Sequence, residues 1–88
     1  MNVIKKPNWM WLSFADAPDG FRGAVIVRGR NVSEAADEAW HRKINPGGNV
    51  AGQFIDAFLH LIPESDRNRL LNRAEATALA QKIQAAAR

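Results

Sequence analysis

Two stretches decide how this chain reads: Trp9-Met10-Trp11-Leu12-Ser13-Phe14-Ala15 and Phe21-Arg22-Gly23-Ala24-Val25-Ile26-Val27-Arg28. In an extended strand, successive side chains point to opposite faces. The first stretch therefore places Trp9, Trp11, Ser13 and Ala15 on one face and Met10, Leu12 and Phe14 on the other. Both faces are rich in apolar groups, as in a strand covered on two sides. The second stretch is rich in β-branched residues, which favour strands. Between them, Asp16-Ala17-Pro18-Asp19-Gly20 is a turn: proline presets φ, aspartate bonds the local backbone and glycine tolerates positive φ. The two strands are expected to pair as an antiparallel hairpin ended by Gly29-Arg30.

Beyond the hairpin, Asn31 and Glu34 have capping-box spacing, with asparagine in place of serine or threonine. They predict a helix from about Val32 to Lys43. Val32, Ala35, Ala36, Ala39 and Trp40 form its apolar stripe. Glu34, Asp37 and Glu38 come early and Arg42 and Lys43 late, matching the helix dipole. Asn45-Pro46-Gly47-Gly48 breaks the helix. Residues 49–55 read as a third strand, weakened by Gly52. Phe54 to Ile62 suits either a strand end or a helical turn. Pro63 to Leu71 reads as a short helix with proline at a permitted first position. Asn72 and Glu75 repeat the cap spacing before a last helix from about Arg73 to Ala86, with Ala76, Leu79, Ala80 and Ile83 as its apolar face. Residues 1–8 are a polar lead-in. The expectation is one α+β domain over residues 1–88: a three-stranded, mostly antiparallel β-β-α-β sheet, with the first helix on one face and a C-terminal helical segment over 63–88. That segment is expected to cover an edge or reach toward a partner.

The chain has 88 residues, 47% of them hydrophobic, which supports one folded core rather than disorder. It has no cysteine, so disulfides, thiolate metal sites and a cysteine nucleophile are excluded. The N-terminal residues do not form a signal peptide, and no window approaches a membrane span. A cytoplasmic location is expected. Twelve Lys and Arg against nine Asp and Glu give a net charge of +3 with the signs interspersed. A dedicated duplex binder shows a denser cationic stripe, so bulk nucleic acid is not the expected partner.

Asn45-Pro46-Gly47-Gly48 is the most distinctive local feature. Consecutive glycines can turn backbone N–H groups toward one point and make an anion-binding nest. The plainer reading is a helix C-cap followed by a turn, and composition favours it. Ser13, Asp16 and Arg22 offer a hydroxyl, a carboxylate and a guanidinium at the hairpin; alternatively they are a strand hydroxyl, a turn aspartate and an exposed arginine. Trp9 and Trp11 share a face and read equally as a stacking platform or as core. Trp40 reads as core. Arg67, Arg69 and Arg73 are interleaved with Glu64, Asp66 and Glu75 and read as a self-compensating surface. His41 and His60 are too far apart for a local metal motif. No acid–base pair or activated nucleophile can be assembled from spacing, so neither an enzyme nor a cofactor is expected.

Three segments carry a resemblance: Trp11-Leu12-Ser13-Phe14-Ala15-Asp16, Gly20-Phe21-Arg22-Gly23-Ala24-Val25-Ile26-Val27 and Ile44-Asn45-Pro46-Gly47-Gly48-Asn49-Val50-Ala51-Gly52. Together they resemble a group of small uncharacterised proteins encoded by tailed bacteriophages and some bacteria, in which the position of Asn49 is often glutamate. The resemblance covers roughly residues 9–55 and extends weakly to Asn68 through Glu75. It implies no established activity. It does imply a phage or mobile-element setting, hence the host cytoplasm, where small proteins act on host factors or small host signals.

The leading expectation is a non-enzymatic module that captures a small anionic ligand, such as a signalling nucleotide, at loops of a homo-oligomer. Trp11, Ser13, Asp16, Arg22, Asn45, Gly47 and Gly48 are its candidate residues. The alternative is a protein-interaction factor, or inhibitor of a host enzyme, that works through the apolar strand face and the C-terminal helix. A two-fold dimer is expected because the alanine stripe of the last helix is too small to fill the space above Trp9 and Trp11.

Overall fold

The computed structural model describes residues 8–16 and 20–87. The lead-in residues 1–7 and residues 17–19 of the first turn lie outside the described residues. β1 (Asn8–Asp16) and β2 (Gly20–Gly29) pair antiparallel. β3 (Asn49–Phe54) pairs antiparallel with the other side of β1, so the sheet order is β2-β1-β3. α1 (Val32–His41) joins β2 to β3; a 3-10 segment (Asp56–Leu61), a 3-10 turn (Glu64–Asp66) and α2 (Arg73–Ala86) follow. The expected α+β architecture is the one the chain adopts.

The alternation in β1 sorts the core into two layers. Met10, Leu12 and Phe14 pack with Val25, Val27, Ala35 and Ala39 beneath α1. The helix comes close because its buried residues are alanines and β2 ends in glycine: a Cβ at Gly29 would lie 2.6 Å from the backbone nitrogen of Ala35. On the opposite face, Ala24 and Ile26 pack with Ile55, Ile62, Leu71, Ala76 and Leu79, and Trp9 and Trp11 lie against this cluster.

This second layer corrects the expectation of an open tryptophan face. The last helix does carry mostly alanines, but Ile55, Ile62 and Leu71 of the connecting segments fill the space and are buried. The guanidiniums of Arg28 and Arg67 lie 4.9 and 5.5 Å from the Trp9 ring centroid. Arg67 Nη2 also donates to the carbonyls of Leu59 and Ile62 at 3.1 and 2.9 Å, fastening the 3-10 segment over the sheet. The paired indoles therefore give no reason for a partner on this face.

Three further elements differ from the sequence reading. Trp40 is not core; it is 68% exposed. The buried line of α1 is Ala35 and Ala39, whereas Val32, Ala36 and Trp40 run along its flank at i, i+4, i+8. Val32 on that flank approaches Gly52 of β3, and among the described residues no further strand lies beyond β3 to cover the indole. α1 stops at His41, and Lys43 at φ 62 turns the chain, ahead of the glycines. The region read as a helix over Pro63 to Leu71 is helical only at Glu64–Asp66. It then runs along β2: Leu71 exchanges backbone hydrogen bonds with Ala24 at 2.7 and 3.1 Å, and Asn68 N–H donates to Ile26 at 2.8 Å. A helix there would leave those strand groups without partners under a covering layer.

The caps follow the sequence. Asn72 and Glu75 form a reciprocal capping box, with bonds of 2.8 and 3.0 Å. Asn31 accepts from the Glu34 N–H at 2.8 Å, but the Glu34 carboxylate turns to the Arg30 side chain and backbone, so this box is half closed. Among the described residues no helix is long and apolar enough to cross a membrane.

Candidate functional site

The residues singled out in the sequence separate into two groups. Asp16, Arg22, Asn45, Gly47 and Gly48 meet at the end of the sheet where the β1–β2 hairpin turns. Trp11 and Ser13 lie on the α2 face of β1.

Arg22 reaches the first group through an irregularity in the ladder. Phe14 pairs with Gly23 but Ala15 pairs with Phe21, so Arg22 is the extra residue of a β-bulge. Bulges re-aim a side chain without ending the strand. Gly23 at φ 146 provides the local backbone geometry, and Leu70 fills the space that a Cβ there would need. The Arg22 side chain then lies along the glycines: a Cβ at Gly47 would meet its Nη1 at 3.6 Å, and one at Gly48 would meet its Cδ at 3.0 Å. Asp16 accepts one long hydrogen bond from Arg22 Nη1, 3.4 Å, and the two side chains remain 60% and 43% exposed. An exposed pair of this length is worth little and leaves the guanidinium exchangeable.

The turn itself is held by Asn45. Its Oδ1 accepts from the Gly47 N–H at 2.8 Å, and its Nδ2 donates to the Ala36 carbonyl at 3.3 Å, tying the turn to α1. Gly47 and Gly48 sit at φ 82 and 90, where side chains are strained. Two expectations change accordingly. The helix cap is made upstream at Arg42 and Lys43, so the turn is not a C-cap. Nor can both glycine amides converge on an anion, because Asn45 occupies the Gly47 N–H. Among the described residues the Gly48 N–H has no acceptor.

A cleft of about 450 Å³ lies beside this turn, lined by Trp40, His41, Lys43 and Asn45. Sequence reasoning missed Trp40 because the α1 stripe reads as wholly buried, and Lys43 because it reads as a basic residue of the helix end rather than of the turn. The signal lay in the spacing: Trp40 follows Ala39, at the margin of the stripe and in the last turn.

Trp11 and Ser13 are engaged with each other, the indole Nε1 donating to the hydroxyl at 2.9 Å. They line shallow clefts of about 270 and 240 Å³ with Ala51, Gly52 and Gln53 of β3 and with Ala80, Ile83 and Gln84 of α2. The third polar cluster is structural. Arg69 bonds Asp66 at 2.8 Å and Glu75 at 2.5 Å. Hydrogen bonds from Arg69 and from the Asn72 N–H hold the Glu75 carboxyl below its ordinary range. Among the described residues no group of three or more His, Asp or Glu side chains is arranged to hold a metal ion.

No known family model matches the chain, and neither a curated protein nor a solved structure shows significant similarity to it.

Proposed function

We propose that this chain is a non-enzymatic binding module that captures a small anionic ligand, such as a signalling nucleotide, at the Arg22–Asn45–Gly48 turn and the cleft beside it. The observation that carries the reading is the Arg22 side chain, laid along two glycines with its guanidinium beside Gly47 and, among the described residues, held by a long, exposed contact to Asp16. A planar guanidinium matches phosphate oxygens and binds them more strongly than a neutral donor does. The Gly48 N–H adds a donor, Lys43 a second cation and Trp40 an exposed ring for a base to stack upon. Trp40 thus takes the stacking role that the sequence reading gave to Trp11. Ser13 has its hydroxyl engaged by an indole rather than by a base, which fits a binding role better than a catalytic one. The resemblance to phage-encoded proteins suits capture of a small host signal. The competing reading, an interaction factor or inhibitor of a host enzyme working through the apolar strand face and the C-terminal helix, is supported less, because Ile55, Ile62 and Leu71 pack over that strand face.

Calorimetric titration with a panel of linear and cyclic nucleotides tests the proposal. Arg22→Ala is the informative variant, because any side chain at Gly48 would meet the Ala15 carbonyl oxygen at 2.9 Å and disturb the sheet. The expected result is a nucleotide whose affinity falls at least tenfold in Arg22→Ala and in Trp40→Ala, with circular dichroism unchanged. Absence of nucleotide binding, or binding indifferent to both substitutions, refutes it.

A further inference from the structure

Among the described residues the outer edge of β3 is unpaired; it is uncharged and flanked by apolar side chains. Just past the β1–β3 ladder the N–H of Ile55 donates to the Trp9 carbonyl at 3.1 Å while the Trp9 N–H turns to Asp56 Oδ1, which puts Trp9 and Ile55 at a hydrogen-bonded position of the ladder's alternation. Such pairs alternate along an antiparallel ladder. Trp11–Gln53, Ser13–Ala51 and Ala15–Asn49 are therefore hydrogen-bonded pairs as well, given the register. The backbone groups of Val50, Gly52 and Phe54 accordingly point away from β1, and among the described residues nothing bonds them. All six residues of β3 are exposed, and Val50 and Phe54 rank among the large apolar side chains left at the surface, Phe54 at 52%.

We infer that this edge docks a second copy of the chain, β3 pairing antiparallel with β3 across a two-fold axis at Gly52. The register follows from the geometry. Residues opposite one another in a continuous sheet face the same side, and outward backbone groups must meet outward groups. One alignment meets both conditions for all three outward residues: Val50 opposite the partner's Phe54, Gly52 opposite the partner's Gly52, and Phe54 opposite the partner's Val50. Each pair exchanges two hydrogen bonds. A shift by two residues loses at least one pair, and a shift by one turns closed groups toward each other.

Three features favour a second copy over a foreign strand. A two-fold axis makes any edge self-complementary. Asn49–Phe54 contains no charge, so pairing two copies sets no like charges opposite each other; edges that must stay single usually carry lysine or proline. The apolar flanks also match. Val50, Gly52 and Phe54 face the α1 side, beside the Val32–Ala36–Trp40 flank, and the partner's Phe54 lands against Val50 on that same side. With aromatic side chains presenting roughly 150–250 Å² each, the exposed parts of Trp40 and Phe54 offer about 200 Å² per copy. The two copies together bring roughly 400 Å² from these rings, well under the roughly 1,200–2,000 Å² of stable specific interfaces, so the paired edge holds a weak dimer that dissociates on dilution. The arrangement shares Trp40 with the ligand reading but uses neither Arg22 nor the glycine turn, so Phe54→Lys and Arg22→Ala test the two separately.

The test combines sedimentation of the full chain across the micromolar range with site-directed cross-linking. Ala51 and the partner's Gln53 form a non-hydrogen-bonded pair with Cα atoms about 4.5 Å apart, within disulfide range, and the chain has no cysteine of its own. The expected results are a concentration-dependent dimer, at least tenfold weaker association in Phe54→Lys, and a covalent dimer on mild oxidation of the Ala51→Cys/Gln53→Cys double variant but not of Ala51→Cys alone. A monomer mass throughout overturns the inference, even if the monomer captures a strand from another protein. So does association indifferent to Phe54→Lys. Cross-linking by Ala51→Cys alone overturns the register, because it sets the axis at Ala51. Should Phe54→Lys fail to fold, the cysteine pair still decides.

Discussion

The β2 and β3 edges of this sheet are built from the same alternation of inward and outward backbone groups, and the described residues close one while leaving the other exposed. At β2 the outward groups of Ala24 and Ile26 are taken by Leu71 and Asn68, and the Leu71 side chain drops into the core. At β3 the outward groups of Val50, Gly52 and Phe54 meet no partner among the described residues. The difference shows where the covering chain goes. After β3 the polypeptide passes over the α2 face, is fastened by Arg67 to the 3-10 segment, and returns along β2. One connection covers a face and an edge together, and among the described residues no further strand lies beyond β3.

The largest expected effect comes from breaking the closed edge. Leu71→Ala leaves a cavity in a buried cluster and should cost about 2–5 kcal/mol. Val50→Ala at the exposed edge should cost less than about 1 kcal/mol when measured in dilute protein. Denaturant titration of both checks the contrast, and similar losses would mean that the β3 edge is packed after all. A smaller effect is expected at the start of α2, which holds the covering segment in place. Asn72→Ala removes one half of the capping box and should cost about 1 kcal/mol, read from the same titration. If hydrogen exchange at the Leu71 amide is accelerated as well, the cap and the closed edge belong to one cooperative unit.

The smallest effect is electrostatic. Arg69 and the Asn72 N–H favour the charged form of Glu75, so its proton is held less tightly in the folded chain than in the unfolded one. The resulting stabilisation is complete above the ordinary value of 4.5 and fades as the pH falls below it toward the folded value. Glu75→Gln should therefore be slightly less stable than the native chain near neutral pH and converge with it in acid. Because these side chains are partly exposed, added salt should shrink the gap. A gap that persists unchanged at low pH would assign the loss to the capping geometry instead.

Much of the fold was legible because it depends on local rules. The last helix spans Arg73–Ala86 as its cap and stripe predict, and β1 sorts its side chains by strict alternation. The Pro63–Leu71 reading failed because the propensity of that segment is weak, while unpaired groups on a distant strand impose an extended path on it. The site was legible only in part. Asn45, Gly47, Gly48, Arg22 and Asp16 do converge, but Arg22 reaches the glycines through a bulge that no spacing rule announces. Trp40, which reads as core, lies exposed, because an apolar residue on a stripe is buried only if another element lies over it.

The sequence by itself determined the hairpin, the two helices, their caps and the division of β1 into two apolar faces. Each of these is set by interactions spanning a few residues, through backbone sterics, capping hydrogen bonds and side-chain period. The tertiary structure alone decided which face the connecting segments cover, which edge Leu71 and Asn68 close, where Arg22 points and that Trp40 faces outward. Those outcomes depend on which distant groups compete for the same backbone donors and the same volume, and that competition is resolved only when all the elements are packed together.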